Sequence, residues 1–164
     1  AIAVAVARRY AAQGARLALL ARRPEALEAV AADLRVRGAA EVQCEHYDAE
    51  STDPPAAVLQ RAWSRWQGID IALLAHGVLP DQATCQQQVD AAMHSFDINA
   101  RSVIALLTVL GTLFDAQGSG IDQRGWAPGL HMVSNLHFAH FIVLSAPSRS
   151  RRGDRQSAPA PGRA

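Results

Sequence analysis

The sequence predicts an α/β fold built on a doubly wound parallel sheet. Three observations predict it. Short runs of about six residues with strand character, Ala15 to Ala21, Glu41 to Tyr47 and Ile69 to Ala75, recur along the chain. Longer stretches with apolar residues every three or four positions lie between them. Gly and Pro punctuate the boundaries, at Gly14, Pro24, Gly38, Pro54 and Gly68. Strands alternating with helices imply a parallel sheet covered on both faces, joined by right-handed crossovers. Ligands of such sheets bind beyond the carboxyl ends of the strands. The positions of interest are therefore those following Ala21, Tyr47 and Ala75.

Taken in order, residues 1–13 are Ala-rich and place Ile2, Val6, Arg9, Tyr10 and Gln13 at helical spacing, with Gly14 as a stop. Ala15 to Ala21 is too short for a helix between Gly14 and Pro24, and its Leu17, Leu19 and Leu20 suit a buried strand. Pro24 opens the next helix, where the first turn tolerates it. Leu27, Val30, Ala31 and Leu34 form its apolar stripe and Gly38 closes it. Glu41 to Tyr47 alternates like a strand, and Asp48 to Pro54 is a loop that caps the following helix through Ser51, Thr52 or Asp53. Val58, Leu59, Ala62, Trp63 and Trp66 mark that helix. Ile69 to Ala75 is a compact buried strand. Residues 86–114 then read as one long helix, with Val89, Met93, Phe96, Val103, Leu106, Leu107, Leu110 and Phe114 stepping by three and four.

The regularity ends near Gly118. A further strand is expected within Gly129 to Ser134 or within Phe138 to Leu144. The expected organisation is a sheet-and-helix unit over 1–117, a poorly defined segment over 118–144 and a disordered basic tail over 145–164. Charge divides the same way. Residues 1–123 hold ten Arg and fourteen acids, and residues 124–164 hold six Arg and one acid.

Composition narrows the chemistry. Of 164 residues, 49% are hydrophobic and the formal net charge is +1, which suits one globular domain and gives no field that selects nucleic acid or a membrane surface. All sixteen basic residues are Arg. A Schiff-base lysine and a Walker-type phosphate loop are thus excluded within this sequence. Cys44 and Cys85 form no metal spacing and fit a reduced pair in a cytoplasmic protein. No run of eighteen apolar residues occurs, so no membrane span is expected. The sequence opens without Met and in helical register, the expectation for a fragment entered partway through a helix.

The strand ends hold Arg22 and Arg23, then Asp48, then His76 and Gly77, and the long helix holds Phe96-Asp97-Ile98-Asn99. "LALLARRPEALEAVAADL", "DIALLAHG" and "SFDINARSVIALLTVL" in this order resemble the short-chain dehydrogenase/reductase family over residues 1 to about 117. The resemblance implies a Rossmann-like, incomplete fold and hydride transfer between a nicotinamide cofactor and a carbonyl or alcohol carbon of a small-molecule substrate. It implies that Arg22 and Arg23 meet the 2′-phosphate of NADP, where an acid would select NAD. The alternative for the pair is a solvated helix entry. Asp48 would touch the adenine through its carboxylate, and Ala49 through its backbone. Ala75, His76 and Gly77 would pass close to the cofactor ribose, Gly77 leaving room for it. His76 stands where the family often has Ala or Asn. Asn99 matches the family's helix residue whose main chain holds a water in a proton relay, and Ser134 aligns with its substrate-orienting serine. The alternatives are an exposed helical Asn and an unremarkable loop Ser.

The family's Tyr-x-x-x-Lys pair is absent. Tyr10 and Tyr47 precede its place, and a Tyr near pKa 10 is a poor base without a cation beside it. The glycine-rich turn that cradles pyrophosphate is absent as well. The expectation is an NADP-dependent oxidoreductase chain that is inactive as given, or else a non-catalytic nucleotide-binding or interaction module. Self-association is expected of the intact relative. His131, His137 and His140 lack a completing carboxylate or thiol, so no metal is expected. Arg149, Arg151, Arg152, Arg155 and Arg163 would support only weak, salt-sensitive contact, so no nucleic-acid partner is expected.

Overall fold

Ala3, Ala7 and Ala11 recur every four residues, so one face of the first helix, α1 (Ile2–Ala11), carries only methyl groups. All three are at most 1% exposed, which is how closely a helix without bulky side chains can approach a sheet. The computed structural model describes residues 2–51, 54–117, 130–132 and 141–146, the last two segments as backbone. After α1 come β1 (Arg16–Ala21), α2 (Pro24–Val36), β2 (Glu41–His46), α3 (Pro55–Trp66), β3 (Ile71–Ala75), α4 (Gln82–Gln87) and α5 (Val89–Phe96). A π-helical turn, Asp97–Arg101, leads into α6 (Ser102–Ala116), and β4 (Leu130–Met132) and β5 (Phe141–Ala146) follow. Ser134 lies outside the described residues, as does everything after Ala146.

The five strands form one sheet in the order β2-β1-β5-β3-β4. β1 runs parallel to β2, and β3 runs parallel to β4. β5 lies antiparallel to both β1 and β3, a departure from the all-parallel expectation. Backbone groups of a strand can pair with its neighbours in either direction, so an apolar composition does not encode direction. Leu20 and Leu74 both pair with Ile142, which sets the carboxyl ends of β1 and β3 level. Ala21 pairs with His46, which brings β2 to the same edge.

Side chains alternate across the strands and feed two cores. Leu17 and Leu19 pack with Ala3, Ala7, Leu27, Ala31 and Leu34 of α1 and α2. Ala18 and Leu20 pack with Leu59, Ala62, Trp66, Leu106, Leu110 and Phe114 of α3 and α6. Trp63 meets the Phe114 ring edge-on at 5.0 Å between centroids. By length and composition the helical stretch Val89–Ala116 is apolar enough to cross a membrane. Its Leu106, Leu110 and Phe114 instead fill the core, while Val89, Met93, Phe96 and Ile104 are exposed.

Two boundaries differ from the sequence expectation. The long helix does not begin at 86, because Gln88 is extended (φ −130°, ψ 110°) and separates α4 from α5. α3 begins at Pro55 with Pro54 as its N-cap, a residue that offers no side-chain cap; Thr52 and Asp53 lie outside the described residues.

Candidate functional site

The level carboxyl ends of β1, β2 and β3 open into a cleft with about 330 Å³ of void space, part of it open to solvent. Arg22 enters it from β1, Asp48 and Ala49 from β2, and His76 and Gly77 from β3. Leu20, Tyr47, Glu50, Val78 and Ile98 complete the lining. Five of the residues expected from sequence are thus brought together. Ala75 is fully buried beneath the cleft and Arg23 is exposed as the residue that precedes α2.

Asp48 organises its own loop. Its Oδ1 accepts from the Glu50 backbone N–H at 3.0 Å, and its carbonyl accepts from Ser51 N at 3.1 Å. This local turn is what an Asp after a strand does in place of capping a helix. Arg22 Nη1 donates to Glu50 Oε2 at 2.9 Å across the mouth of the cleft. The ion pair is half-exposed on both sides.

Asn99 sits in the π-helical turn and reaches the loop after β3. Its Oδ1 accepts from Val78 N at 2.7 Å, and its Nδ2 donates to Val78 O at 2.9 Å. The amide reproduces the pairing of a neighbouring strand and holds the His76–Gly77 segment in place. Gln117, at the far end of α6, does the same to the start of β3, accepting from Ile69 N and donating to Ile69 O, both at 2.9 Å. Eighteen helical residues span about 27 Å and nine extended ones about 30 Å, so the two amides match the length of the strand they hold. π-turns concentrate at functional sites, and this one carries Asn99.

Below the cleft, Ser102 Oγ–H donates to Ile98 O at 2.6 Å, so its lone pairs accept from His76 Nε2–H at 2.7 Å. Tyr47 meets the His76 ring edge-on at 6.0 Å. Burial pushes the Tyr47 phenol above its ordinary value, against a smaller pull from Ser102. Tyr47 therefore stays a neutral donor near neutral pH and is not an activated base.

Tyr47, Glu50, Val78 and Ser102 were not singled out from sequence. Ser102 had a signal, since it stands three residues after Asn99 and four after Ile98 and so shares their helix face. Glu50 had none, because its partner is 28 residues away.

Comparisons with known proteins agree with this arrangement. The family described as enoyl-(acyl carrier protein) reductase matches residues 1–124. An uncharacterized oxidoreductase from Streptomyces coelicolor is 34% identical over 121 residues, covering 73% of this chain and 47% of the relative. A short-chain type dehydrogenase/reductase from Mycobacterium marinum superposes with a TM-score of 0.66 at 27% identity, over 73% of this chain and 48% of that one. An NAD+-bound xylitol dehydrogenase superposes with a TM-score of 0.64 at 25% identity, over 73% and 46%. The chain thus spans about half the length of the relatives it matches. With its Rossmann-like sheet, its cleft at the strand ends and its match over residues 1–124, this chain belongs to the short-chain dehydrogenase/reductase family of oxidoreductases.

Proposed function

We propose that the cleft binds the adenosine half of NADP and that the chain serves an NADP-dependent oxidoreductase acting on a small carbonyl or alcohol substrate. The observation that carries the cofactor choice is Arg22 at the carboxyl end of β1, inside the cleft. A guanidinium there offers a planar fork to a 2′-phosphate, whereas a carboxylate would accept from a free 2′-hydroxyl. The donor set suits the group. Arg22 and the exposed Arg23 supply positive charge, the start of α2 favours an anion, and Gly77 keeps side chains away from a ribose. Asp48 and the Ala49 backbone, both on the cleft lining, would contact the base. The Asn99 side chain positions the loop that carries Val78, and its main chain is proposed to hold the water of a proton relay. When bound, the cofactor supplies or accepts a hydride.

The xylitol dehydrogenase relative, named as bound to NAD+, supports the dinucleotide class. The choice of NADP rests on Arg22 alone. One observation favours a second reading, binding without turnover by these 164 residues. They contain no Lys to lower a tyrosine pKa, and Tyr47 is pushed the wrong way by burial.

Titration of the chain with NADPH and NADH tests the assignment. Arg22→Ala is expected to weaken NADPH binding about tenfold, the loss of one charge-assisted contact in a half-exposed site, and to leave NADH unchanged. Equal losses for both cofactors, or none for either, would overturn it.

A further inference from the structure

Arg22 meets a carboxylate before it meets any ligand. Glu50 reaches it from the loop after β2, with Oε2 at 2.9 Å from Nη1. The other oxygen, Oε1, lies 3.2 Å from His94 Nε2 on α5. The loop that delivers Glu50 is tied by the Asp48 turn, whose Oδ1 takes the Glu50 backbone N–H. Glu50 is therefore held from its main chain and divided between two partners, and its carboxylate covers part of the arginine fork that faces the cleft.

We propose that Glu50 is a specificity-determining residue: its carboxylate stands in for an anion on Arg22, so a nucleotide bearing a 2′-phosphate must displace it while an unphosphorylated nucleotide need not. The proposal rests on the nucleotide reading of the cleft. The physics is competition between two acceptors for one guanidinium. A phosphate and a carboxylate cannot share the same N–H groups, and two anions brought together there repel. Glu50 thus weakens binding of the phosphorylated ligand selectively and narrows the preference that Arg22 would otherwise impose. Because the pair is half-exposed, the effect is modest, about three- to tenfold in dissociation constant.

The test uses the full 164-residue chain and three probes: adenosine 2′,5′-bisphosphate, 5′-AMP and inorganic phosphate, titrated calorimetrically or by NMR shifts. Glu50→Gln keeps the shape of the side chain and removes its charge. It is expected to tighten the bisphosphate about three- to tenfold and to leave 5′-AMP unchanged. Glu50→Asp keeps the charge but withdraws it by one methylene, and is expected to give a smaller gain. Arg22→Ala is expected to abolish the gain when combined with Glu50→Gln. If Glu50→Gln changes nothing while Arg22→Ala still weakens the bisphosphate, the competition is overturned and the cofactor reading stands. If Arg22→Ala has no effect, or no variant binds the bisphosphate at all, both are overturned. An equal gain for 5′-AMP would reduce Glu50 to a general charge effect and overturn its selectivity. An equal gain for inorganic phosphate would make the site a bare anion site and overturn the nucleotide.

Discussion

Asn99 makes two hydrogen bonds to main-chain atoms of Val78, and its Nδ2 also donates to Ser95 Oγ at 3.3 Å. Replacing it by Ala would leave a donor and an acceptor beside the cleft without their partner. The cost is expected to be about 1–3 kcal/mol, since part-buried groups lose their solvation as well as their bond. Asn99→Asp should cost at least as much, because a carboxylate oxygen would then face the Val78 carbonyl. Urea unfolding of the two variants checks the order, and a loss under about 0.5 kcal/mol for both would refute the clamp. The importance of Asn99 was legible in the sequence, because an Asn inside a strong helix invites explanation. Its partner was not, since the target is backbone and any residue at position 78 could supply it. The Arg22–Glu50 pair shows the same limit: the arginine stood out at a strand end, but a lone glutamate in a loop carries no pattern.

Elements were legible where length and punctuation decide, and less so where helix runs into helix. β1 and β3 were readable because runs of five or six apolar residues between Gly and Pro cannot bury themselves as helices. The stretch from Gln82 to Ala116 was harder, because apolar spacing of three and four continues through the extended Gln88 and the π-turn at Asp97–Arg101. Only hydrogen bonding tells those segments apart. α6 itself has two unlike faces, and that yields a clean prediction. Phe114 is 2% exposed and stacks edge-on with Trp63, whereas Ile104 is 61% exposed on the same helix. Phe114→Ala should cost about 3–5 kcal/mol through the cavity it leaves and the aromatic pair it breaks. Ile104→Ala should stay within about 0.5 kcal/mol. Thermal melts of the two variants side by side make the comparison, and similar shifts would refute the packing of α6.

For the molecule as a whole, ionisable groups tie the layers together, and their titration sets a window of stability. Arg8 hydrogen-bonds Asp33 and holds its carboxyl below the ordinary 3.8, joining α1 to α2. Burial works against Glu41, but Arg65 and Trp66 outweigh it and hold that carboxyl below 4.5, joining β2 to α3. Both folded-state values lie below the unfolded ones. Their stabilisation is therefore complete above about pH 5 and is lost as pH falls through the folded values, when the unfolded chain binds more protons than the native one. Cys44 limits the other side. Burial, reinforced by Glu28, pushes its thiol from 9.0 up to about 11. Between those values the native state keeps a proton that the unfolded chain has released, so stability falls as pH rises. Urea midpoints measured from pH 2 to 11 should therefore describe a plateau with a falling acid arm below about pH 4.5 and a falling alkaline arm above about pH 9. Glu41→Gln should lower the plateau and make the acid arm shallower, because it removes one of the groups whose protonation the arm reports. Cys44→Ala should make the alkaline arm shallower, leaving the loss above about pH 10 that the buried Tyr47 contributes, and should leave the acid arm alone. An alkaline arm unchanged by Cys44→Ala would show that the thiol is solvated in the folded chain and that β2 is not packed against α2 at that position.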